Sequence, residues 1–242
     1  MPRLTTRGAA VRPQAPPMLG DGKARRPRGN RPRATSQRHM WNDESVRLEI
    51  LGMLASAVEH HDGEPSGHGS RTAEIAEAIA QAYGLPRSRI ELIRRATPLH
   101  DIGKVSVPAE IIDKEGRLSP EEFETMKTHT SVGAKLLSGG RSPLFRLAER
   151  LALTHHERWD GSGYHGMAGL RIPVASRIVA VADVFDALTR DRVYKSAWDE
   201  GDAVKEIVAN AGTQFDPDVV EAFLVAFERR TVPRPPLENR RA

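Results

Sequence analysis

Eight acids and imidazoles stand where a plain helical protein would carry apolar residues: Glu64, His68, His100, Asp101, His129, His155, His156 and Asp183. Any one of the histidines alone reads as a helix cap or a satisfied core residue. Together they form a nitrogen and oxygen donor set. With no cysteine among the 242 residues, a metal here has no thiolate to bind. Such a set suits iron, manganese or related divalent ions better than soft metals, and it is too large for one ion. His100 and Asp101 are adjacent and point in different directions from a helix end, so the aspartate can bridge two ions while the histidine serves one. Lys104 follows in the same stretch, LHDIGK, where Gly103 lets it stay close to the ions.

The elements that must position these groups read as helices. From Trp41 onward Val46, Ile50, Leu51, Leu54 and Val58 recur at three- and four-residue steps. A second helix is expected over about 68–83, stopping at Gly84. IELIRRATPLHD continues the same period. In LSPEEFETMKTH, Ser119, Pro120 and Glu122 form a capping-box signature, and His129 is expected near that helix's end. LFRLAERLALTHHE sets Leu144, Leu147, Leu151 and Leu153 near one face and finishes in His155 and His156. IPVASRIVAVADVFDAL is apolar almost all round, which marks a helix buried on most sides. Its two acids, Asp183 and Asp186, then need compensation, which a cation or a hydrogen-bonding partner supplies. A last helix is expected over about 217–227. No strand and no repeat stands out, so the domain is read as all-α.

Composition bounds the rest. The first forty residues hold ten of the 36 basic residues and one of the 32 acids, which leaves 26 bases against 31 acids in the remainder. The basic character therefore belongs to an Arg/Pro-rich tail at 1–40, expected to be disordered because its few large apolar residues cannot offset ordering entropy. A folded domain is expected over 41–232 and a second tail over 233–242. A mildly acidic body argues against specific nucleic-acid binding. No stretch approaches a membrane span and no secretory signal opens the chain, so a soluble, cytoplasmic protein is expected.

Six blocks, EHHDGEPSGHGSR, LHDIGKVSVP, GRLSPEEFETMKTHTSVGAKLL, HHERWDGSGY, RIVAVADVFDALTRDRVYK and GTQFDPDVV, fall in the order found in HD-GYP domains. Over residues 45 to 227 the chain resembles that family, the branch of the HD superfamily that opens cyclic di-GMP. The resemblance implies an HD-domain helical bundle with a carboxyl-terminal HD-GYP extension. It implies metal ligation by His68, His100, Asp101, His129, His155, His156 and Asp183, with Glu64 matching a glutamate of members that hold three ions rather than two. Asp101 and Lys104 take the catalytic roles, while Lys104, Tyr164, Arg192 and Lys195 face the substrate. The implied reaction converts cyclic di-GMP to pGpG, with a slower onward cut to GMP.

That reaction suits the donor set. Two ions about 3.5 to 4 Å apart lower the pKa of a bridging water and clamp the non-bridging oxygens of an anionic diester. A protonated Lys104 then neutralises charge developing in the transition state. One departure from the family stands out: the signature reads GYHGMAGLRIP, with His165 in place of proline and a loop one residue shorter. Losing the proline's fixed φ is expected to loosen this loop, which lines the substrate mouth and offers a surface to a signalling partner. His165 itself is read as a solvated loop residue rather than an added ligand. Two alternatives stay open: a catalytically weak signalling or binding module, and a phosphodiesterase for another cyclic dinucleotide.

Overall fold

The computed structural model describes residues 43–61, 67–191 and 196–233. The expected tail at 1–40, the last nine residues, Glu64, Arg192 and Lys195 lie outside the described residues. Among the described residues the chain is all-α. The helices are α1 (Asp43–His61), α2 (His68–Ala82), α3 (Arg87–Ala96), the short α4 (Ala109–Ile112), α5 (Pro120–Leu137), α6 (Pro143–Thr154), α7 (Val174–Leu188), α8 (Glu200–Ala209) and α9 (Pro217–Glu228). Two 3-10 turns, Thr97–Leu99 and Ile102–Ser106, connect α3 to α4. None of these helices is long and apolar enough to cross a membrane.

Local chemistry explains most of these boundaries. Gly84, at φ +85°, ends α2. Its amide donates to Gln81 and that of Leu85 to Ala80, which satisfies carbonyls the helix would otherwise leave open. At the start of α5 the Ser119 hydroxyl accepts from the Glu122 amide at 3.3 Å and the Glu122 carboxylate accepts from the Ser119 amide at 2.6 Å. This is the reciprocal box read in the sequence. Ser142 and Asp216 cap α6 and α9 with side-chain oxygens that accept from the Phe145 and Asp218 amides, each ahead of a proline.

Three expectations change. His129 lies inside α5, which runs on to Leu137. One turn beyond it, Gly133 lets the backbone of Gly103 pack directly against the helix. On α1 the buried stripe is Leu51, Ala55 and Val58, whereas Val46 and Ile50 are 39% and 58% exposed. Finally, α8 was not anticipated. Its signals were local: Asp199 accepts from the Gly201 amide at 2.8 Å, and Ala203 and Ile207, one turn apart, are fully buried.

Helix α7 runs through the core, as its all-round apolarity implies. Ile178, Val179, Val181, Ala182 and Phe185 are fully buried, and Phe185 meets Phe223 of α9 at 5.1 Å between ring centroids. Ile75 and Ile79 of α2, Ile93 of α3 and Phe145, Ala148 and Leu151 of α6 belong to the same apolar cluster. Leu153 is only half-buried. The core thus fixes α2, α5, α6 and α7, and each of them carries donor groups to one place.

Candidate metal centre

His68 opens α2, His129 sits inside α5, His155 and His156 follow the last turn of α6, and Asp183 lies inside α7. His100 and Asp101 come from the turn region after α3. That region lies hard against α5: a Cβ on Gly103 would fall 1.9 Å from the His129 carbonyl oxygen and 2.5 Å from the Gly133 amide nitrogen. Only a residue without a side chain allows this approach, so Gly103 sets the distance between Asp101 and the α5 histidine.

Four imidazoles share one orientation. The Nδ1–H of His100 donates to the Thr97 carbonyl at 2.8 Å, that of His129 to Met126 at 2.7 Å, and that of His155 to Leu151 and Ala152 at 3.0 and 3.1 Å. His68 Nδ1 lies 2.7 Å from Asp186 Oδ2, to which it donates. Carbonyls and carboxylates accept only, so each partner fixes the proton on Nδ1 and leaves the lone pair on Nε2. All four Nε2 atoms face carboxylate oxygens. His129 and His155 approach Asp101 Oδ1 at 3.3 and 3.2 Å, and their own Nε2 atoms are 3.4 Å apart. His100 Nε2 lies 3.4 Å from Asp101 Oδ2, and His68 Nε2 lies 3.2 Å from Asp183 Oδ1.

Lone pairs gathered in this manner repel unless a proton or a cation stands among them. Two atoms make the point: His100 Nε2 and Asp101 Oδ1 are buried and have no hydrogen-bond partner. The donors fall into two groups able to hold an ion, Asp101 with His129, His155 and His156, and Asp101 with His68 and His100. Asp101 belongs to both, which is the arrangement of a bridging carboxylate. The residues present therefore fit divalent metal ions, with only nitrogen and oxygen ligands.

The surrounding charges keep the donors ready. Burial pushes His100 down to about 4, and burial, with His155 beside it, also pushes His156 well below the usual imidazole range. Neutral imidazole is the form that binds metal. Burial alone would raise the Asp101 carboxyl, but the Lys104 ammonium, 2.8 Å from Oδ2, holds it well below the usual range. Asp183 likewise stays ionised against its burial through hydrogen bonding to His68. Asp186 is fixed from behind by Arg71, at 2.8 and 3.0 Å, so it orients the His68 ring as a carboxylate–histidine pair.

Beside the cluster opens a cavity of about 410 Å³, with His155, His156 and Asp183 at its floor and Phe123, Lys127 and Tyr164 along one wall. The Tyr164 ring lies 4.7 Å from His156 at 40°. Gly163 seats it there, since a Cβ at that position would strike the backbone of Glu157 and Arg158 at 2.6 Å. Burial pushes the Tyr164 phenol up, so it remains a neutral donor.

The loop after Tyr164 is tied down despite lacking the proline. The buried Glu157 carboxylate accepts from the amides of His165 and Met167, each at 2.6 Å, and the Gly169 amide donates to the Trp159 carbonyl. The His165 side chain is exposed and stands in neither donor group, as expected, and its Nε2 lies 3.0 Å from the Thr130 hydroxyl. That hydroxyl donates to the Lys127 carbonyl, so it accepts from His165. The clamp by Glu157 was missed in the sequence. A carboxylate directly after two histidines was its only signal.

The described residues thus bring together seven of the eight expected ligands, with Lys104 and Tyr164 beside them. The HD domain family matches residues 52–219, and the chain belongs to that family. Over 191 residues it is 46% identical to a cyclic di-GMP phosphodiesterase of Thermotoga maritima, covering 78% of this chain and 52% of that protein. It is 41% identical over 177 residues to the 3'3'-cGAMP-specific phosphodiesterase 2 of Vibrio cholerae, covering 73% and 34%. These relatives bear out the HD-GYP resemblance, though the chain spans about half of the first protein and a third of the second. A solved structure of a cyclic GMP-AMP phosphodiesterase from Vibrio cholerae, V-cGAP3, shares the fold with a TM-score of 0.55 at 21% identity, covering 79% of this chain and 54% of that one.

Proposed function

We propose that this chain is a metal-dependent phosphodiesterase that hydrolyses cyclic di-GMP to linear pGpG, with a slower onward cut to GMP. One observation carries the reading: imidazole Nε2 atoms from four separate segments turn their lone pairs toward the Asp101 and Asp183 carboxylates. When bound, two or three divalent ions, iron or manganese by the donor chemistry, would supply a hydroxide nucleophile at neutral pH and neutralise the phosphate.

The protein's own groups do the rest. Asp101 is shared between the two donor groups and ties them together. Lys104 holds its ammonium against Asp101, where it stabilises charge that develops on the phosphate. Tyr164 offers a neutral O–H at the cavity wall to a phosphate oxygen. Glu64 as a further ligand, and Arg192 and Lys195 as phosphate grips, belong to this reading through the family motif. So do a cytoplasmic setting and a signalling partner that meets the loop around His165.

A second reading, cyclic GMP-AMP as substrate, is favoured by the relative at 41% identity. The test is one preparation of the full chain used twice: metal content per chain, then hydrolysis of both cyclic dinucleotides with added Mn or Fe(II). Turnover of cyclic di-GMP to pGpG supports the proposal. Protein with bound metal that cleaves neither substrate would instead mark a binding module.

A further inference from the structure

Phe123 is a large aromatic left 43% exposed on α5. It is not isolated. Its ring meets Tyr164 edge-on at 5.8 Å, and Tyr164 in turn lies against His156. The Lys127 ammonium sits over both rings, 5.5 Å from the Phe123 centroid and 5.9 Å from that of Tyr164, while pairing with the exposed Glu124 at 2.5 Å. The three side chains form one wall of the cavity whose floor is the donor cluster. An unbroken aromatic line therefore runs from a candidate ligand, His156, out to solvent, with a cation fixed along it.

We propose that Phe123, backed by Lys127, is a stacking shelf for one purine base of a cyclic dinucleotide whose phosphate lies at the histidine cluster. This rests on the phosphodiesterase reading for the place of the phosphate, and adds the residue that holds the base. A phosphate at the floor needs no exposed phenyl group. A purine attached to that phosphate through its ribose carries a flat π-face, which an aromatic ring binds in water whatever the base's edge pattern. Phe123 keeps 43% of its surface exposed, while Tyr164 is half-buried and committed to His156. Lys127 lies over the ring and complements its negative face.

The test uses the metal-loaded full chain and calorimetry with two probes: a hydrolysis-resistant phosphorothioate analogue of cyclic di-GMP, and inorganic phosphate. Phe123→Ala should weaken binding of the dinucleotide analogue roughly 5- to 100-fold, the range for one lost stacked base, and leave phosphate binding within about twofold. Phe123→Trp should restore the dinucleotide to near the wild-type constant. Equal weakening of both probes would show that Phe123 only props Tyr164 and would overturn the shelf, as would unchanged dinucleotide binding. Wild-type protein that binds the analogue through Phe123 but does not cleave cyclic di-GMP would remove the reaction and keep the shelf.

Discussion

The two halves of the histidine cluster are oriented by different means. His100, His129 and His155 each donate Nδ1–H to a carbonyl three or four residues back in the chain, so the same segment that carries the ring also fixes its tautomer. His68 instead donates to a side chain, Asp186, 118 residues away on α7, which Arg71 secures. The first half is built into backbone that no substitution removes. The second depends on one carboxylate and is the half that evolution or mutagenesis can tune.

The largest effect should come from the residue common to the two donor groups. Asp101→Ala should abolish turnover and empty both donor groups while the helices stay folded; circular dichroism with metal analysis checks this. Retention of a full metal complement would contradict the bridging role. Asp186→Asn should act on one half only. It keeps the shape but loses the charge that makes His68 a strong donor, so metal affinity at the His68 group should fall roughly 10- to 100-fold. The Asp101, His129, His155 and His156 group should keep its ion, and stepwise metal titration separates the two.

Acidification of the metal-free protein probes the carbonyl-held half. Burial holds His100 at about 4, against about 6.5 in an unfolded chain. Between these values the unfolded chain takes up a proton that the folded state refuses. Stability is therefore complete above about pH 6.5 and falls as the pH drops toward 4, by about 3 kcal/mol. His156, pushed down by the same cause, adds loss in the same direction. Urea unfolding at several pH values would show this slope, and a flat profile would argue that His100 is not held neutral. The smallest effect is expected at the orienting positions themselves: Met126→Leu should leave metal affinity within about twofold, because the backbone carbonyl that fixes His129 is untouched.

Those contrasts also mark what could be read from sequence. The capping box at Ser119 and the stop at Gly84 were legible because side chain and backbone interact within a few residues. Seven candidate donors were legible because acids and imidazoles in an apolar helical pattern demand an explanation. His129 was misplaced toward a helix end because Thr130, Ser131 and Gly133, which follow it in α5, are poor helix formers, and the backbone that packs against them at Gly103 lies 30 residues away. The exposed side of α1 was misread because Val46 and Ile50 fit the helical period as well as the buried Leu51 does. The Glu157 clamp and the meeting of Phe123 with Tyr164 join segments by folding alone, and no spacing announces either.

Anomalous diffraction from crystals of the full chain saturated with Mn(II) tests the central claim most directly. The account predicts at least two manganese peaks, joined through Asp101 and each on the Nε2 side of its histidines. Saturated crystals with no peak at the cluster, or with ions bound through Nδ1, would contradict it.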